Sequence, residues 1–190
     1  MSGAALVVKL GGSYAAQAAL HAWLAAIAAA PGVVLVPGGG PFADAVRALQ
    51  PRLGFDDRAA HAMALLAMAQ YGVFLRALAP ALLPAAEPAA IAAALASGRV
   101  PLWCPPPTLG PADGVPESWD VTSDSLALWL ATRLAAPSLL LVKPRRGGAE
   151  LLDRGFAALR PFYAGRILLA GPEDAPAALD PRAPPGESLP

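Results

Sequence analysis

Two short apolar runs, each closed by glycines and followed by a helix-forming stretch, constrain this chain more than any other feature. Leu6-Val7-Val8-Lys9-Leu10 precedes Gly11-Gly12, and Val33-Val34-Leu35-Val36 precedes Pro37-Gly38-Gly39-Gly40-Pro41. Short β-branched and leucine-rich runs bounded by glycine and proline favour strands. The stretches that follow, Tyr14 to Ala30 and Phe42 to Leu49, read as helices. Two successive strand, turn and helix units make the strands parallel, because a parallel return needs a crossover that is usually a helix. Parallel strands are covered on both faces, which fits runs that are apolar throughout. The expected fold class is α/β, a three-layer αβα sandwich around a mainly parallel central sheet.

Further elements fit that scheme. From Asp56 to Leu83 apolar residues keep helical spacing, predicting one or two packed helices, and Ile91 to Leu95 reads as another. Val100 to Trp103 reads as a strand before a proline-rich loop, Cys104 to Trp119, of the kind that is usually functional or mobile in a compact domain. Ser125 to Leu134 is a helix opened by capping residues, and Ser138 to Val142 and Arg166 to Ala170 are strands. A length of 190 residues suits one domain, taken as residues 1–172, with a frayed proline-rich tail over 173–190.

Composition narrows the function classes. Fourteen basic residues balance fourteen acidic ones, so no global field points to nucleic acid, and an anion must be held locally. Hydrophobic residues make up 56% of the chain, but the excess is mostly alanine in interrupted segments, and no membrane span is expected. Met1 to Leu6 lacks the basic start of a secretory signal, and the single cysteine, Cys104, forms no internal disulfide, so the expected compartment is the cytoplasm.

At Lys9 to Ser13 a strand delivers a lysine and then two residues without Cβ atoms. Such a turn lets backbone N–H groups and an ammonium meet one anion; it also suits a tight turn after an edge strand with a solvated lysine. Gly38-Gly39-Gly40 is costly in entropy unless its freedom or its bareness is used, and close approach of a ligand is one such use. In a parallel sheet both turns lie at carboxyl ends of strands, where open α/β proteins bind ligands. Asp124 opens a helix, either capping it or orienting a lysine, and Lys143 ends a strand as a second candidate phosphate-binding cation. Arg145 and Arg146 are either further phosphate ligands or solvated loop residues. Arg58 and His61, three apart on one helix, share a face and make a candidate acceptor-phosphate site. His21, alone on its helix, reads as a packed or surface residue, and Met63, Met68 and Tyr71 read as core or interface. No cysteine and histidine set has metal-site spacing.

These motifs, in this order, resemble the amino acid kinase family, which includes acetylglutamate, aspartate, uridylate and isopentenyl phosphate kinases. Val8 to Ser13 is similar to the family's first phosphate loop, Val36 to Pro41 to its second, and Thr122 to Ala127 to the segment bearing its organising aspartate. Leu140 to Lys143 followed by Gly147 is similar to the strand and loop that meet the nucleotide. Within the family, Phe55 to Gly72 and Ser118 to Asp124 look most like the small kinases that act on aminomethylfuran-methyl phosphate in methanofuran or methylofuran synthesis.

The resemblance implies ATP and Mg2+ as cofactors, a phosphorylated small molecule as substrate, and a homo-oligomer with an interface around Ala59 to Tyr71. It implies that Lys9 neutralises the transferring phosphoryl group and that Asp124 orients Lys9. Lys143 would meet the nucleotide phosphates, and Gly11, Gly12, Ser13, Gly38, Gly39, Gly40, Ser123 and Gly147 would bind ATP or phosphate. Arg58 and His61 would bind the acceptor. No protein metal ligand is implied. The chain departs from the pattern where relatives carry an acidic loop, with Pro144 and Arg146 in place of carboxylates, and it is shortened at the C-terminus. Those departures define the alternative, a non-catalytic nucleotide- or phosphate-binding or assembly subunit on the same fold.

Overall fold

A computed structural model describes residues 3–189; Met1 and Ser2 of the leading segment and Pro190 of the tail lie outside them. The two glycine-closed runs form β1 (Leu6–Leu10) and β2 (Val33–Pro37), joined through α1 (Ala19–Ala28). Next come α2 (Gly40–Leu53), α3 (Asp57–Leu78), β3 (Leu83–Ala85), α4 (Pro88–Ala96) and β4 (Pro101–Trp103). The chain continues with α5 (Ser123–Arg133), β5 (Ser138–Val142), the single turn α6 (Phe156–Leu159), β6 (Arg166–Ala170) and β7 (Glu187–Leu189). The sheet has the order β3-β4-β2-β1-β5-β6-β7, and every pairing is parallel except that of β7.

Side-chain alternation divides the core into two layers. Leu6, Val8, Leu10, Val33 and Leu35 pack with Trp23, Leu24 and Ile27 of α1. Val7, Val34, Val36, Leu139 and Leu141 point the other way, into a layer built with α4, α5 and α6. The αβα sandwich is therefore the observed architecture. Because β2 and β5 flank β1 on opposite sides, the chain reverses its strand order at β1, and such switch points open a crevice at the strands' carboxyl ends.

Several expectations are corrected. β1 is central and Lys9 only 7% exposed, which removes the reading of an edge strand with a solvated lysine. The helix expected over Tyr14 to Ala30 is a 3-10 turn, Gly12–Ala16, then an extended Gln17, then α1. The turn is fixed by Tyr14, whose hydroxyl donates to the Lys143 carbonyl at 2.7 Å; an alanine-rich pattern carries no mark of such a break. α2 starts at Gly40 and runs through Pro51 to Leu53, where Gly54 ends it in a left-handed conformation (φ 72°). β3 escapes sequence reading because it is a three-residue edge strand containing proline.

The tail is not frayed throughout. Glu187–Leu189 pairs antiparallel with β6, and Leu189 packs against the core layer of α5. Arg146 draws the same segment in, binding Glu173, Asp174 (2.5 Å) and Glu187 (3.4 Å). By length and composition α3 is apolar enough to cross a membrane. In this fold, however, its Ala60, Leu65, Met68, Tyr71 and Leu75 are buried in the protein core. Truncation after Ala183 is expected to lower the thermal unfolding midpoint by several degrees, measurable by differential scanning calorimetry, because it removes β7 and bares one edge of β6.

Candidate active site

The crevice is a cleft of about 260 Å³ whose floor is Lys9. Lys9 points to the α5 face of the sheet, the same side as Val7. There its ammonium meets Asp124, in the first turn of α5, with Nζ 2.9 Å from Oδ1. The other carboxylate oxygen, Oδ2, accepts a hydrogen bond from Lys143, which stands just beyond β5 and also donates to the Leu151 carbonyl at 2.8 Å. All three side chains are under 10% exposed. One carboxylate between two ammonium groups leaves a buried cluster with one excess positive charge.

Burial by itself would raise the pKa of Asp124, but the two ammonium groups outweigh it and hold the carboxyl below its ordinary range. Burial lowers the pKa of Lys143 and repulsion from Lys9 adds to it, while Asp124 opposes the shift without cancelling it. Buried charge of this kind is tolerable only when compensated, so the cluster favours an anion beside Lys9.

The helix termini add to the same potential. α2 begins at Gly40 and α5 at Ser123, and both residues line the cleft, so two sets of free N–H groups and two positive dipole ends lie at it. At α5 two of the donors are already used. Asp153, from the segment after β5, accepts from Thr122 N and Ser125 N at 2.8 and 3.1 Å and from the Thr122 hydroxyl at 2.7 Å, and it binds the Ser125 hydroxyl as well. Asp153 is thus the cap, one of the two roles the sequence left open for Asp124, and Asp124 takes the other by holding the lysines. No short-range signal marks Asp153, since its partners lie 28 to 31 residues away.

The two glycine turns are bare partly because they press on each other. A Cβ at Gly12 would sit 2.1 Å from Gly40 N, and one at Gly38 would sit 2.2 Å from Gly12 N. Gly38 N donates to the Leu10 carbonyl at 2.9 Å, which closes the turns together. Gly12, Ser13, Gly39, Gly40 and Ser123 reach the cleft, whereas Gly11 and Gly38 lie behind it.

The acceptor pair is split. His61 lines the cleft, with Nε2 3.0 Å from the Leu109 carbonyl. Arg58 does not line it; its side chain is 83% exposed and faces Glu117 at 4.0 Å. Both contacts reach into the proline-rich loop, at Leu109 and Glu117. Lys143, expected at the nucleotide phosphates, lies behind Asp124 rather than in the cleft wall, and Gly147 lies away from the cleft beside Arg145 and Arg146. Asp44, Arg47 and Trp119 line the cleft and were missed in sequence. The available signal was that Asp44 and Arg47 are three apart, on one face of the helix after the glycine turn.

A switch-point cleft with a buried lysine, an aspartate that holds it and paired glycine turns is an α/β site with the chemistry to receive an anion. The amino acid kinase family matches residues 4–144, and the chain belongs to that family. Among solved structures it is similar to a uridylate kinase from Archaeoglobus fulgidus, with a TM-score of 0.67 and 16% identity over 88% of this chain and 92% of that one. A UMP kinase from Ureaplasma parvum gives a TM-score of 0.67 and 16% identity, with 90% of each chain covered. An aspartate kinase from Synechocystis gives 0.65 and 14%, over 91% of this chain and 38% of that one. At such identities these likenesses show the fold. No curated protein sequence matches the chain. Membership of the family supports a phosphotransferase.

Asp124→Asn is expected to cost about 3–5 kcal/mol at neutral pH, since it strands two buried ammonium groups. The folded pKa of Asp124 is depressed, so its stabilisation is complete above the ordinary aspartate value near about 4 and fades as pH falls through the lower folded value. Urea denaturation of both proteins should therefore show the gap narrowing below about pH 4.

Proposed function

We propose that this protein transfers the γ-phosphoryl group of ATP to a small acceptor that already bears a phosphate. The observation that carries the reading is the buried Lys9, Asp124 and Lys143 cluster, one positive charge in excess, at the floor of a cleft bounded by two helix N-termini. Charge spreads over the equatorial oxygens of a transferring phosphoryl group, and fixed cations and N–H donors stabilise it without reorganising. Lys9 supplies the cation, Asp124 holds it in place, and Gly12, Gly39 and Gly40 supply bare backbone. Lys143 acts through Asp124.

In the reaction an acceptor phosphate oxygen bonds to the γ-phosphorus, the bond to the bridging oxygen breaks, and ADP and a diphosphate leave. An ionised phosphate needs no strong general base, which suits a cleft whose one histidine, His61, is tied to a backbone carbonyl. Mg2+ keeps several waters and takes few protein carboxylates beside phosphates. Asp124 and Asp153 are both occupied by protein partners, so Mg2+ would be carried by the nucleotide's phosphates, where it supplies charge neutralisation.

The finer reading of the acceptor is an aminomethylfuran-methyl phosphate. It is supported by the placement of the two runs that resemble those kinases: Phe55 to Gly72 supplies His61, Leu65 and Met68 to the cleft, and Ser118 to Asp124 supplies Trp119, Val121 and Ser123. We also propose a homo-oligomer, with a second copy covering α3. Met63, Leu66, Val73, Phe74 and Leu78 leave an exposed apolar stripe along that helix, continued by Phe42 and Leu53 of α2. A two-fold copy buries such a self-complementary stripe.

The non-catalytic alternative is favoured by one observation: Arg146 is taken up by Glu173, Asp174 and Glu187 and is not free for nucleotide. A single-turnover assay with labelled ATP and a panel of small phosphomonoesters separates the two. Transfer is expected, and it should fall by about 10²–10⁴-fold in Lys9→Met with the circular dichroism spectrum unchanged. ATP binding without transfer to any acceptor sinks the kinase reading. In analytical ultracentrifugation Leu66→Glu with Val73→Glu should sediment as a monomer, and a wild-type monomer would refute the interface.

A further inference from the structure

The second glycine turn contains a residue whose conformation its own sequence does not fix. Gly40 lines the cleft and opens the right-handed helix α2, yet its φ is 55°, in the left-handed region. Glycine takes either sign of φ about as readily, so the local chain leaves this residue free to turn away. Contacts from outside the turn must select the conformation. One comes from the first turn, where a Cβ at Gly12 would sit 2.1 Å from Gly40 N. The other comes from Tyr71 on α3. A Cβ at Gly40 would lie 3.0 Å from Cδ2, 3.3 Å from Cε2 and 3.5 Å from Cγ of the Tyr71 ring, and these are the three atoms nearest that position.

Tyr71 is itself held in place. It is 1% exposed, lies in the core layer of Leu10, Tyr14 and Leu75, and meets the Phe74 ring at a centroid distance of 5.5 Å. A buried tyrosine ordinarily finds a hydrogen-bond partner for its hydroxyl. Among the described residues the Tyr71 hydroxyl has none. The contact that sets this side chain apart is therefore the one its ring makes with the glycine turn. Filling the core does not set it apart, because Leu75, one turn further along the same face of α3, is buried in the same layer.

We infer that Tyr71 is a positioning residue, whose ring locks Gly40 in the left-handed conformation and so holds the N-terminus of α2 where a phosphate in the cleft meets it. This rests on reading the cleft as a phosphate-transfer site, and it names what keeps the second turn formed before a ligand arrives. Donors already in place stabilise developing charge without reorganising. A smaller side chain at position 71 opens a gap beside Gly40 into which the turn relaxes. A displacement of about 1 Å is enough to slow transfer by about 10²-fold.

The test compares Tyr71→Leu, Tyr71→Phe and Leu75→Ala in the full chain, well below their thermal midpoints. Two amides report on the turn without any ligand: Gly38 N–H, bonded to the Leu10 carbonyl at 2.9 Å, and Ala43 N–H, bonded to the Gly39 carbonyl at 3.2 Å. Their hydrogen exchange, followed by NMR, should be about tenfold faster in Tyr71→Leu. Transfer from labelled ATP to small phosphomonoesters should fall in the same variant by about 10–10²-fold. Tyr71→Phe keeps the ring and should restore both readouts, and Leu75→Ala, destabilised at a neighbouring core position, should change neither. Tyr71→Met, a milder and more adaptable replacement, serves the same comparison if Tyr71→Leu does not fold. Unchanged exchange in Tyr71→Leu, equal effects in Leu75→Ala, or a Tyr71→Phe variant that behaves like Tyr71→Leu overturns the inference. Faster exchange in Tyr71→Leu alongside a wild type that transfers nothing removes the kinase reading and leaves this inference standing, whereas wild-type transfer that survives undiminished in Tyr71→Leu does the reverse.

Discussion

The site depends on a single carboxylate shared by two buried lysines. β1 brings Lys9 to the carboxyl end of the sheet, the residue after β5 brings Lys143, and α5 brings Asp124 down between them. A lysine at that depth without a partner would sacrifice its charge or its burial. With Asp124 in place each lysine nitrogen has a carboxylate oxygen as its partner, and the two share a single negative charge. An anion would balance the cluster, which is the ground on which the floor of this cleft is proposed as a phosphate position.

Much of the surrounding structure serves to hold that carboxylate. The segment after β5 folds back so that the Leu151 carbonyl accepts a hydrogen bond from Lys143 and Asp153 accepts four from Thr122 and Ser125. α5 is thereby capped from a distance, and Asp124 in its first turn is released from the capping role. The 3-10 turn after β1 is anchored through Tyr14 to the carbonyl of Lys143 itself. The glycine turns then close against each other at backbone contact, so that the two strand ends carrying them cannot separate without breaking the cleft.

The far side of the protein is organised differently. In the loop after β5, Arg146 gathers Glu173, Asp174 and Glu187 and ties the C-terminal segment to the sheet as β7. These are exposed ion pairs, weaker individually than the buried cluster. The cleft floor and the C-terminal segment thus rest on different physics, one on charge removed from water and the other on charge left in it.

The parallel sheet, the two glycine turns and the nearness of Lys9 and Asp124 were legible in the sequence, because buried strands and glycine turns impose local patterns that need no knowledge of what they touch. The family was legible for the same reason, through the order of those motifs. Sequence could not place Arg58 outside the cleft and Arg47 inside it, since both lie on helices and only the packing of α2 against α3 decides which face meets the crevice. Nor could it find Asp153, Trp119 or β7, whose partners lie tens of residues away in the chain. Local sequence determined which groups can bind phosphate. Long-range contacts, which carry no periodic signal, decided which of them share one cleft and which are taken up by partners elsewhere in the fold.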